Sequence, residues 1–124
     1  MTYLATSINQ SPVIVEKAGA TIADVRGKAV KFDANGAIVL AGAGEAALGV
    51  GIMTNDENIA AGADVHVQIK DIGLVCAGAE IKKGAKLQAN ASGALITHAS
   101  GEAVAIALDN AAAAGVYIKA IILK

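Results

Sequence analysis

The 124-residue sequence predicts an all-β protein: a compact, small barrel- or sandwich-like domain built from two similar β units, with an extended N-terminal arm and at most single helical turns. Three observations predict it. Apolar runs are short, rich in Val and Ile, and broken by Gly, Asn or Asp at intervals of roughly eight to twelve residues. Alanine fills 29 of 124 positions, yet no stretch of about a dozen residues holds a glycine-free i, i+3, i+4, i+7 stripe. The chain also repeats itself. Gly27 and Gly36 align with Gly84 and Gly93 at an offset of 57 (84 − 27), and the same offset carries Gly44-Glu45-Ala46 onto Gly101-Glu102-Ala103. One loop then shortens, and Gly62 meets Gly115 at an offset of 53 (115 − 62). The duplication covers about 27–70 and 84–123, within a single β-domain over 13–124. Repeated turn glycines and apolar runs form a scaffold, since nothing in the shared pattern is a reactive group.

Residues 1–12 lie outside the duplication and read as an extended arm, either a frayed end or an arm that docks on a partner. Pro12 disfavours helix at Ser11, and Tyr3, Leu4 and Ile8 are isolated apolar residues in a polar setting. The segment lacks the basic start and long apolar centre of a signal peptide. Strands are expected over 13–16, 28–32, 37–40, 48–52, 65–70, 72–76, 85–89, 94–97, 103–108 and 116–123. Hairpin turns at 33–36 and 90–93 each end in a glycine suited to positive φ. Segments 56–61 and 109–114 are expected as single helical turns, because Asp or Asn stands ready as N-cap and glycine follows. Over 65–70 the alternation puts Val65, Val67 and Ile69 on one face and His66, Gln68 and Lys70 in water. The last strand differs. Ile121, Ile122 and Leu123 are apolar on both faces, so both need cover, and in a domain this small a neighbouring subunit can supply it.

Composition narrows function further. The net charge is −1 and the basic residues are scattered apart from Lys82, Lys83 and Lys86, so no footprint for nucleic acid or anionic lipid stands out. Charges and glycines interrupt every apolar run well short of a membrane span. The single Cys76 sits in an apolar run as a small buried hydrophobe, which fits a protein made in a reducing cytoplasm. Phe32, Tyr3 and Tyr117 are the only aromatics, too few to stack bases or line a glycan site.

The candidate chemistry is weak. Residues 42–47 formally match a G-x-G-x-x-A dinucleotide fingerprint, with Asp64 where a ribose-binding acid would sit. The following Leu48-Gly-Val-Gly-Ile52 is too glycine-rich for the helix that fingerprint needs, and the second copy loses it. His66 and His98 read as surface residues, and residues 55–58 as a capped turn rather than a calcium loop. Glu45 and Glu102 occupy equivalent turn positions, which favours a shared turn role over acid–base chemistry. No catalytic residue, cofactor site or metal site is expected.

Several segments together resemble the small capsid cement, or head decoration, proteins of tailed bacteriophages. They are Pro12-Val-Ile-Val-Glu-Lys-Ala-Gly19, Arg26-Gly-Lys-Ala-Val-Lys-Phe32, Leu48-Gly-Val-Gly-Ile52, Ala63-Asp-Val-His-Val-Gln-Ile69, Ile81-Lys-Lys-Gly84 and Ala105-Ile-Ala-Leu108. The resemblance covers nearly the whole chain, from about Ser11 to Leu123. It implies a structural virion protein on the outer surface of the assembled head, clamping neighbouring major capsid protein subunits and acting as a homo-oligomer, most often a trimer. An arm contact would fall to Tyr3, Leu4 and Ile8, and the oligomer or core to Ile121, Ile122 and Leu123. The competing readings are a non-catalytic ligand- or glycan-binding β-module displayed on the virion, and an enzyme subdomain.

Overall fold

The computed structural model describes residues 11–123. Ten strands follow one another: β1 (Val13–Lys17), β2 (Ala29–Phe32), β3 (Ile38–Leu40), β4 (Gly49–Gly51), β5 (Asp64–Gln68), β6 (Ile72–Cys76), β7 (Lys86–Ala89), β8 (Leu95–Thr97), β9 (Ala105–Ala107) and β10 (Tyr117–Ile122). All the strands read from the sequence form, with ends moved by one or two residues. Among the described residues there is no helix.

The strands make two five-stranded antiparallel sheets, in the orders β1-β5-β4-β2-β3 and β6-β10-β9-β7-β8. These orders are the same order written twice. In each, a parallel bridge joins the end of the first strand to the far edge, Ala18 to Ile38 and Ala77 to Leu95, and curls the sheet into a small barrel. The repeat therefore reaches further than the shared glycines, since β1 and β6 are also equivalent. The backbone bonds repeat as well: Gly19 N–H donates to Ile38 O at 2.8 Å, and Gly78 N–H donates to Leu95 O at 2.7 Å. The sequence hides this pair of strands, because Val-Ile-Val-Glu-Lys and Ile-Gly-Leu-Val-Cys share no residue in register.

Each barrel has an aliphatic core. The first gathers Ile22, Val25, Val30, Ile38, Ile59, Val65 and Val67. The second gathers Val75, Ile81, Leu87, Leu95, Ile118 and Ile122, and Ala29, Ala41 and Val50 of the first barrel join it. Those three residues mark the face by which the first barrel docks. The chain uses small residues where backbones must approach. A methyl group on Gly49 would collide with Gln68 O, and one on Gly51 with Val25 O. That is the reason for the glycines after residues 42–47, and a strand follows there instead of a helix.

The two hairpin turns form as expected, with Gly36 at φ 78° and Gly93 at φ 83°. Asp33 Oδ1 accepts the N–H groups of Asn35 and Ala37 at 2.8 and 3.0 Å, a side chain standing in for turn backbone. The two expected helical turns do not form. Ile59 pairs with Ile22 and Ala111 with Ile81 as isolated bridges. Asp109 Oδ2 and Asn110 Oδ1 accept from Lys119 N–H and Lys83 N–H, at 3.3 and 2.8 Å, so they tie strands together instead of capping a helix.

The water-facing side of 65–70 is also corrected. His66, Gln68 and Lys70 are half-buried. The turn at Asn55 folds over His66, and Gln68 Nε2 donates to Lys70 O and Ile72 O, both at 2.8 Å. The last strand alternates cleanly. Ile118, Ala120 and Ile122 point into the second barrel, while Tyr117, Lys119 and Ile121 point out. Its inner face is thus covered by the chain's own core, and only the outer face is left open.

Candidate functional site

Tyr3, Leu4 and Ile8 lie outside the described residues. Of the last-strand residues, Ile122 is a core residue at 5 % exposure, Leu123 is half-buried and Ile121 is 37 % exposed. The three therefore do not act together. Ile121 instead belongs to an outer face with the β6 residues beside it. Antiparallel register sets Ile121 opposite Ile72 and Lys119 opposite Leu74. Ile72 is 57 % exposed and Leu74 is 42 % exposed. Ile106 of β9 continues the row on the other side of Ile121. Sequence reading missed Ile72 and Leu74, because the run 72–76 looked uniformly apolar; only strand alternation separates them from buried Val75.

Next to this face is a cleft of about 370 Å³ between the barrels, lined by Ile52, Met53, Gln68, Ile72, Leu74 and Lys119. A second depression, of about 400 Å³, contains Asp56, Asp64 and His66. Asp64 is already engaged there: Lys17 Nζ donates to it at 2.6 Å and holds its carboxyl below the usual range. His66 contributes its backbone, with N–H donating to Asn55 Oδ1 at 2.9 Å and O accepting from Asn55 Nδ2 at 2.8 Å. Buried Asn55 is a strut between a turn and β5.

The remaining polar groups stabilise loops. Glu45 accepts from Lys31 Nζ at 2.8 Å and from Gly42 N–H, and these bonds lower its pKa, the Lys31 bond most. In the second repeat the N–H equivalent to that of Gly42 belongs to Ala99, and it donates to Gln88 Oε1 at 2.8 Å. Gln88 also accepts from Ser100 and Gly101 N–H at 3.2 and 3.1 Å. The same loop is therefore held by different side chains, and Glu102 does not copy the role of Glu45. His98 sits 2.6 Å from Gly101 O through Nε2, again within its own loop. Asp24 binds Arg26 through Oδ1 to Nε at 2.9 Å and Oδ2 to Nη2 at 3.3 Å, and the guanidinium keeps its carboxyl below the usual range. Burial raises the pKa of Tyr117, and buried Cys76 and Asp24 add to it.

The barrel–barrel contact is backbone-close and one-sided. Cys76 N–H donates to Gly27 O at 2.7 Å, Ala29 N–H to Gly93 O at 2.8 Å, and Gly44 N–H to Ala89 O at 2.8 Å. A methyl group on Gly27 would stand 2.7 Å from Cys76 N, and one on Gly93 would stand 3.1 Å from Ala29 O. Their repeat twins, Gly84 and Gly36, meet nothing within 4 Å.

Comparisons with known proteins agree with a scaffold. Residues 34–122 match the family described as Phage cement protein. The fold is similar to the crystal structure of the head fiber gp8.5 N base in bacteriophage phi29, with a TM-score of 0.67 and 17 % sequence identity. That similarity covers 90 % of this chain and 92 % of the other. A sequence search of curated proteins finds no match.

Proposed function

The chain belongs to the phage cement protein family, and we propose that it binds the outer surface of the assembled phage head and stabilises the lattice by bridging major capsid protein subunits. The family is structural and non-enzymatic, and the protein is a head-associated virion component. The observation that carries the proposal is the family match over 34–122, which takes in β3, β4 and β5 of the first barrel and all of the second. The exposed face of Ile72, Leu74 and Ile121 supports a protein that works in an assembly, because an apolar patch of this kind is what a neighbouring subunit covers.

Cement acts by mass action. Anything that binds the assembled lattice and not the ruptured one raises its stability. Each contact stays modest, because many copies bridging one shell add through effective concentration. Tyr3, Leu4 and Ile8 supply an arm contact with the capsid, and the protein works as a homo-oligomer, a trimer.

The test uses expanded heads that lack the protein. Added protein is expected to co-sediment with them and to raise their rupture temperature. Absence of both effects refutes the proposal. Deleting residues 1–10 should weaken attachment and leave the unfolding midpoint of the free protein unchanged; unchanged attachment refutes the role of the arm.

A further inference from the structure

The unused twin glycines identify a second docking surface. Within the chain, the first barrel presents a cross-strand row, Val13–Gln68–Val50–Ala29, set by register across β1, β5, β4 and β2. Val50 and Ala29 of that row are 2 % and 0 % exposed, because they lie against the second barrel. The same register in the second barrel gives Ile72–Ile121–Ile106–Lys86. Here Ile72 and Lys86 are exposed, Ile121 is 37 % exposed and Ile106 is half-buried. Among the described residues, nothing covers the row in the second barrel that its twin uses to hold a barrel of this fold.

The receiving side is duplicated too. The first barrel docks around Ala89 and Gly93 of the second, and the equivalent residues of the first barrel are Phe32 and Gly36. Phe32 is 44 % exposed, and Gly36 faces open space. The contact is therefore heterologous: each chain keeps one free row and one free receiving end. A surface that pairs with a different surface of its own kind builds rings or chains of copies.

We propose that the free row of one chain docks on the Phe32 end of a second copy, repeating between molecules the barrel–barrel contact made within each. The position of the axis favours this pairing. Gly44 and Gly101 are repeat equivalents, and a methyl group on Gly44 would stand 3.1 Å from Gly101 Cα. Equivalent residues in contact lie close to the axis that relates the barrels, so further copies added by the same step gather around that axis. The inference gives the homo-oligomer proposed above its interface and does not depend on capsid binding.

The test is a mixing experiment read by light scattering. The full chain alone is expected to show a mass that is a multiple of the monomer at tens of micromolar. Ile121→Glu breaks the row and Phe32→Glu breaks the receiving end, so each variant alone should run as a monomer with native circular dichroism. An equal mixture should form a dimer and nothing larger, since such a pair retains one intact junction. Lys86→Glu, a change at an exposed site, serves as the row variant if Ile121→Glu fails to fold, and it should shift dissociation at least tenfold. A monomeric wild type overturns the oligomer itself. An oligomer that persists in the variants, or a mixture that gives no dimer, overturns the interface. A wild type that is monomeric in solution while Ile121→Glu loses attachment to heads assigns the row to the capsid instead.

Discussion

Gly44 and Gly101 hold the same place in the two repeats, and their backbones meet. Gly44 O accepts the N–H of Glu102 at 2.9 Å, and a methyl group on Gly101 would run into the Gly44 backbone. The turn glycines shared by the repeats thus serve two purposes. Some shape hairpins, while this pair lets one barrel approach the other.

Gly101→Ala should destabilise the protein by about 1–3 kcal/mol, the usual cost of forcing extra atoms into a packed contact. Gly101 has no positive-φ requirement, so the loss comes from the collision and not from backbone strain. Urea unfolding checks this, and a midpoint equal to that of the wild type would show that the barrels can move apart without cost.

Asn55→Ala should cost about 2 kcal/mol, since buried hydrogen-bonding groups left unpaired carry roughly 1–3 kcal/mol each. Asn55 is 7 % exposed and joins Ile52 O, His66 O and His66 N–H. Gln88→Ala should cost a similar amount, because three loop N–H groups lose their one side-chain acceptor. Thermal denaturation of both variants is the measurement, together with hydrogen exchange at Ala99, Ser100 and Gly101, which should accelerate only in the Gln88 variant.

Ile122→Asp and Ile121→Asp should behave differently. Ile122 is a core residue, and an uncompensated carboxylate there should unfold the second barrel. Ile121 faces out, so Asp at that site should leave the fold intact and weaken assembly only. Circular dichroism and light scattering separate the two outcomes.

Asp24 links stability to acid. Its folded pKa lies below the ordinary 3.8, chiefly because Arg26 hydrogen-bonds the carboxylate. A group whose pKa is depressed by folding stabilises the native state above its unfolded pKa and loses that contribution as pH falls through the folded value. Wild type should therefore be more stable than Asp24→Asn at pH 6, and the gap should close below pH 3.8. The pair is partly exposed, so the gap is small and should shrink in salt. A gap that stays constant from pH 6 down to about pH 2 would disprove the linkage.

The strands and turns were legible because they depend on neighbours in sequence. Val65 and Val67 alternate with polar residues, and Gly36 and Gly93 stand where a hairpin needs positive φ. The equivalence of β1 and β6 was not legible, because a strand is specified by its pattern of inside and outside, and many residues satisfy it. The helical turns expected at 56–61 and 109–114 do not form, for a related reason. Asp109 and Asn110 are good caps in isolation, but their acceptors were taken by Lys119 and Lys83 N–H, which no local rule brings near.

Local chemistry alone dictated a duplicated, aromatic-poor β scaffold without a reactive centre, since alternation and turn residues act over a few positions. The tertiary structure decided which copy of each shared feature is buried. Ala29 is covered while its twin Lys86 is exposed, and Gly27 is gripped while its twin Gly84 stands free. Two barrels of one fold met by unlike faces, and burial follows from that meeting, which depends on the summed shape of both barrels and not on any residue's neighbours in the chain.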